Sequence, residues 1–181
     1  MASSTRVLSI LFLLRRLRIR LLLVVLTLAT CVPCRAGEPS NSFTQKEALA
    51  ADRAVRAFMQ TVSLSVTRDG PLAWTKYFDA SPAFFMAVNG QMAFPNVAAA
   101  QDGTRKFAQT IRQIELKWGD DLRVDPLTSK FAVVAVSWRE TQVDTAGHSV
   151  IETGYFTGLV EYREGHWQLR NAHWSGPVST H

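Results

Sequence analysis

Cysteine is almost missing from the 181-residue sequence. There are two, Cys31 and Cys34, and none after residue 36. Residues 37–181 therefore carry no internal disulfide and no thiol nucleophile. The C-x-x-C spacing of the pair matches redox and zinc motifs, but no second pair exists and the motif ends an apolar leader. Acidic residues are absent from residues 1–36, which hold six of the 20 basic residues. The rest of the chain keeps 14 basic and all 15 acidic residues, so the formal charge of +5 belongs to the leader. No basic face is left to bind nucleic acid. The apolar run over 21–29 is too short to cross a bilayer as a helix. No H-E-x-x-H, phosphate-cradling glycine loop or G-x-S-x-G elbow occurs. The histidines, His148, His166, His173 and His181, stand at no i,i+4 spacing, so no metal and no cofactor is expected.

Hydrophobic residues make up 47% of the chain and charged residues 19%, a globular composition. Four arginines between Arg15 and Arg20 precede the apolar run, and Cys34 and Ala36 stand at −3 and −1 of a cut before Gly37. This order predicts a signal peptide over 1–36 and an exported protein, periplasmic or secreted. Two other readings stay open. Leu28-Ala29-Thr30-Cys31 is a loose lipobox, which gives a lipid anchor. The acid-free, arginine-containing start also resembles a mitochondrial transit peptide. Residues 37–43 read as a linker and 44–181 as one domain.

Within that domain, Thr44 and Glu47 form a capping box ahead of Ala48, Ala51, Val55, Phe58, Met59 and Val62 at helical spacing. Asp69-Gly70 stops this helix, and Pro71 opens a short second one through Phe78. Asn89-Gly90 turns a hairpin of strands 83–88 and 91–94. Asn96 caps a third helix to about Arg112, which Asp102-Gly103 interrupts. Strands follow at 114–127, 130–143, 148–162 and 166–175. Helices followed by an antiparallel meander predict an α+β domain, with helices on one face of the sheet. Gly119-Asp120-Asp121 reads as a solvated bend.

Two turns set the expected register. Glu164-Gly165 as a two-residue turn places Gly158 opposite Asn171 and Phe156 opposite His173. A four-residue turn at 144–147 places Arg139 opposite Glu152. One face then gathers Arg139, Glu152, Asn171, His173 and Ser175 at its polar end, with Phe156, Trp74 and Tyr77 as walls. That cluster is the expected small-molecule pocket. The opposite face carries Trp138, Tyr155 and Trp174, an aromatic patch expected to be covered in a homodimer. A one-residue slip exchanges the two faces.

The ending Trp167-x5-His173-x-Ser175-Gly176, with Arg139-Glu140-Thr141-Gln142 and Trp74-Thr75-Lys76 upstream, resembles the nuclear transport factor 2-like (SnoaL-like) superfamily. Within it the likeness is to the calcium/calmodulin-dependent protein kinase II association domain and its bacterial relatives. The resemblance covers about residues 44–178. It implies a cone-like curved sheet with three N-terminal helices enclosing a pocket, and sheet-mediated oligomers. In the association domain two pocket arginines bind small carboxylates. Arg139 matches one of them, and Gly158 stands at the other. Two functions follow. One is a ligand-binding or self-associating domain anchored on Arg139, Asn171 and Ser175. The other is an acid–base enzyme of isomerase, dehydratase or cyclase type using His173 or Glu152.

Overall fold

The computed structural model describes residues 43–176, and the leader, its two cysteines and His181 lie outside the described residues. Helix α1 spans Gln45–Asp69. Thr44 and Glu47 cap it reciprocally: the Thr44 hydroxyl accepts from the Glu47 amide at 3.2 Å, and the Thr44 amide donates to the Glu47 carboxylate at 2.8 Å. Ala51, Val55, Phe58, Met59, Val62 and Val66 form its buried stripe. Gly70, at φ 81°, ends the helix, and Pro71 begins a 3-10 helix over Pro71–Lys76. Strands β1 (Phe85–Val88) and β2 (Gln91–Phe94) are joined by Asn89 and Gly90, both at positive φ. Helix α2 spans Val97–Thr110, and the Asn96 side chain accepts from the Ala99 amide at its start. Gly103 inside α2 has a packing role. A Cβ there would stand 2.3 Å from the Phe94 ring, so glycine lets β2 lie against the helix.

Five strands follow: β3 (Ile111–Trp118), β4 (Arg123–Pro126), β5 (Phe131–Asp144), β6 (Ser149–Arg163) and β7 (His166–Ser175). The sheet order is β2-β1-β7-β6-β5-β3, with β4 also paired to β5. All pairings are antiparallel except β1 with β7. The domain is therefore α+β, with the expected helices and curved sheet. The single strand expected over 114–127 is divided at 119–122. There the Asp121 carboxylate accepts from the Ser137 amide and hydroxyl, at 3.0 and 2.7 Å, in place of ladder bonds. Those bonds also hold the Asp121 carboxyl below its usual range.

The register differs from expectation in two places, each by one residue. On β5–β6, Arg139 pairs with Thr153, and Glu140 pairs with Glu152. The connection is five residues long, 144–148, because His148 closes it. The Asp144 amide donates to the His148 carbonyl at 3.0 Å, and the Asp144 carboxylate accepts from the His148 amide at 2.8 Å and meets its ring nitrogen at 2.9 Å. On β6–β7 the Glu164-Gly165 turn holds as expected, with Tyr162 opposite Trp167 and Val160 opposite Leu169. A bulge then leaves Arg170 unpaired, so Leu159 faces Asn171, Gly158 faces Ala172 and Phe156 faces Trp174. Asn171 makes this bulge, its side-chain oxygen accepting from the Leu159 amide at 3.0 Å.

The consequence is an exchange of faces. Ala132, Val134, Val136, Trp138 and Glu140 of β5 are buried, while Val133 and Arg139 are exposed. Phe156, Val160, Leu169 and Ala172 complete the buried face, each fully buried large side chain contributing about 2 kcal/mol. Trp138 and Trp174, expected on an outer dimer patch, belong to the inner face. Of that patch only Tyr155 is exposed, at 42%.

Candidate functional site

A cavity of about 770 Å³ opens at the end of the inner sheet face beyond the packed core. Six aromatic rings line it: Trp74 and Phe78 from the segment after α1, Phe94 of β2, Phe107 of α2, Trp138 of β5 and Trp174 of β7. Trp174 is held by its neighbours. Its ring meets Trp74 edge-on at 5.4 Å, Trp138 edge-on at 5.2 Å and Phe156 at 4.8 Å, and stacks on Trp118 at 5.7 Å. Trp118 is itself fixed, its indole nitrogen donating to the Met59 carbonyl at 2.8 Å. Gly154 makes room for this arrangement. It pairs with Trp138, and a Cβ on it would stand 2.9 Å from the Trp138 ring and 1.8 Å from the Ser175 carbonyl.

The polar end is built by the β5–β6 ladder. Glu140 and Glu152 sit directly opposite each other, and Gln142 lies two residues along the same face. The Gln142 amide donates to Glu140 at 2.5 Å and to Glu152 at 3.4 Å, bridging the two carboxylates. Glu140 is only 9% exposed. Burial pushes its carboxyl up to about 7; the Gln142 hydrogen bond pulls against this and the Glu152 charge adds to it. Thr104, Asn89 and Thr153 add neutral polar groups to the lining. Among the described residues no lysine, arginine or histidine lines the cavity. The indole N–H of Trp138 is buried and has no hydrogen-bond partner among the described residues. No group of three or more metal-ligating side chains occurs among the described residues.

Of the side chains expected here, Glu152 and Trp74 line the cavity. Phe156 lies behind it, fully buried beneath Trp174. Tyr77 packs edge-on against Phe58 at 5.8 Å and does not reach the lining. Arg139 and His173 are exposed and outside the lining, His173 pairing with Thr157. The acid–base role read for His173 and the carboxylate anchor read for Arg139 therefore have no place in this cavity. Asn171 holds the bulge, and the Ser175 hydroxyl donates to the Tyr155 carbonyl at 3.1 Å. Sequence reasoning missed Trp138, Glu140, Gln142 and Trp174. The signal for the first three was present: the even positions of β5 run Ala132, Val134, Val136, Trp138 without a polar break, and the odd positions hold Ser137 and Arg139.

No protein-family model matches the chain, and no curated protein does. Solved structures match closely in fold at low identity. A nuclear transport factor 2-like superfamily protein from Salmonella enterica Typhimurium superposes with a TM-score of 0.62 at 16% identity, over 74% of this chain and 95% of that one. A candidate scytalone dehydratase from Novosphingobium aromaticivorans gives 0.66 at 13%, over 75% and 89%. A candidate calcium/calmodulin-dependent protein kinase II association domain from Xanthomonas campestris gives 0.58 at 18%, over 71% and 89%. The fold that shapes this cavity is the nuclear transport factor 2-like fold.

Proposed function

We propose that the domain binds a small organic molecule in the cavity, with the apolar body between Trp74, Trp138 and Trp174 and the polar end at Glu140 and Gln142. The observation that carries this reading is the cavity itself: about 770 Å³, walled by six aromatic rings and ending in one convergent polar cluster. Small carboxylates do not suit it, because two glutamates and, among the described residues, no cation line the space. The leader adds a second part to the proposal, that the ligand is met after export.

Tryptophan fluorescence of the full chain provides the test, since Trp74, Trp138 and Trp174 all line the cavity. A broad panel of aromatic and alicyclic small molecules is titrated against the chain and against Trp174→Ala. A saturable change that Trp174→Ala weakens about tenfold supports the reading. Saturable binding left unchanged by both Trp174→Ala and Glu140→Gln places the ligand elsewhere and overturns it.

The raised carboxyl of Glu140 favours a second reading, in which the bound molecule is also turned over. A carboxyl near 7 in an apolar site is suited to taking a proton and returning it. The likeness to a candidate scytalone dehydratase is in keeping with such chemistry on this fold. The mark of this reading is a turnover rate that rises with pH through about 7 and is lost in Glu140→Gln. A rate indifferent to Glu140→Gln removes it.

A further inference from the structure

We infer that the cavity selects organic cations: an amine or quaternary ammonium compound carrying an apolar body. The inference rests on the binding reading above and names its ligand class. Two carboxylates, Glu140 and Glu152, stand opposite each other at the polar end, and among the described residues no lysine, arginine or histidine lines the cavity. Arg139 is exposed outside the lining, and Arg163 and Arg170 both pair with Glu161. The charged groups that the described residues bring to the cavity are therefore both negative.

The walls point the same way. The face of an indole ring attracts a cation, and three of the lining rings are tryptophans. The aromatic cluster is also rigid, since Trp174 is gripped by four other rings, so little order is lost when a cation is seated. Burial that strips water from Glu140 makes its charge costly on its own, and an ammonium beside it supplies the missing partner.

Binding then couples to a proton. A cation favours ionised Glu140, so affinity is low below about 7 and rises to a plateau above it. Among the described residues, Glu152 is the one other titratable group in the lining. Leu116 is the partner of Glu140 on β3, α2 presents Thr104 and Phe107, and β1 and β2 present Met86, Val88 and Phe94. The charged residues of α2, Asp102, Arg105 and Lys106, pair with one another at the exposed surface.

Three benzyl compounds test the inference on the full chain: benzyltrimethylammonium, its neutral carbon isostere neopentylbenzene, and the smaller anion phenylacetate. Calorimetric or fluorescence titration should show the cation binding about tenfold more tightly than the neutral isostere. Phenylacetate should fail to compete. Affinity for the cation should climb across pH about 6 to about 8, with proton release on binding in the lower part of that range. Glu140→Gln should remove the pH dependence and the preference for the cation while keeping the neutral isostere. Glu152→Gln, at an exposed position, should weaken the cation alone and guards against a folding artefact at Glu140. Equal affinity for all three probes, or a preference for either of the other two, overturns the cation inference and leaves the cavity as a binding site. No binding by any of the three also overturns it, and silence across the broad panel as well removes the binding reading itself.

Discussion

Among the described residues three acidic side chains are buried, and two of them, Asp79 and Glu140, stand in opposite surroundings. Asp79, after the 3-10 helix, is fully buried and well served. One oxygen accepts from the Ser81 amide at 3.0 Å and meets Arg163 at 3.5 Å, and the other accepts from the Ser81 hydroxyl. Glu140, at the cavity, has one amide donor and a second carboxylate for company. A buried charge with a counter-ion and donors holds a structure together. A buried carboxyl without a counter-ion sits beside the cavity. Burial alone does not separate structural acids from functional ones; the partners do.

The contrast predicts opposite responses to removing the two groups. Asp79→Ala should cost about 3 kcal/mol in urea unfolding, since it orphans two buried donors and an arginine. A loss near zero would make the two acids alike. Glu140→Gln should go the other way above neutrality. The folded state holds the Glu140 proton more tightly than the unfolded chain, at about 7 against an ordinary 4.5. Its contribution to stability is full below 4.5 and is lost as pH rises through about 7. Glu140→Gln should therefore stabilise the chain by an amount on the order of 2 kcal/mol above that pH, and flatten this part of the pH profile. Ser81→Ala removes one of the donors onto Asp79 and should cost about 1.5 kcal/mol at any neutral pH. The smallest effect belongs to Gln142→Leu. It deletes the hydrogen bond that pulls the Glu140 carboxyl down, so the midpoint of the pH profile should move upward with little change in stability below it.

Much of the fold was legible in local chemistry. The Thr44–Glu47 box, the Asn96 cap, the Asn89-Gly90 and Glu164-Gly165 turns and the stripe from Ala51 to Val62 each follow from a few adjacent residues. The site was not legible to the same degree, because it depends on register, and register accumulates every local count. His148 lengthens one loop by one residue. Asn171 takes up one residue in a bulge. Either step turns a strand over, so Arg139 and His173 exchanged places with Glu140 and Trp174. Glu152 and Trp74 keep their expected place in the lining because they lie on segments those two steps leave alone. The residue alternation of β5 argued for the observed face, and the turn residues argued against it.

The bulge on β7 has a consequence for chain length. The ladder from Leu169 to Asn171 spans two positions on β7 against one step on β6, so Arg170 is surplus to pairing. A chain lacking Arg170 would run an unbroken ladder with Ala172 and Trp174 on their present face, losing the Arg170–Glu161 pair. A chain keeping Arg170 but pairing regularly would set His173 where Trp174 now stands. Parity along this strand, rather than identity at any one position, decides whether the cavity is walled by an indole or by an imidazole. When distant relatives are aligned, a one-residue gap at 170 describes the same site, and the same gap placed downstream describes a different one.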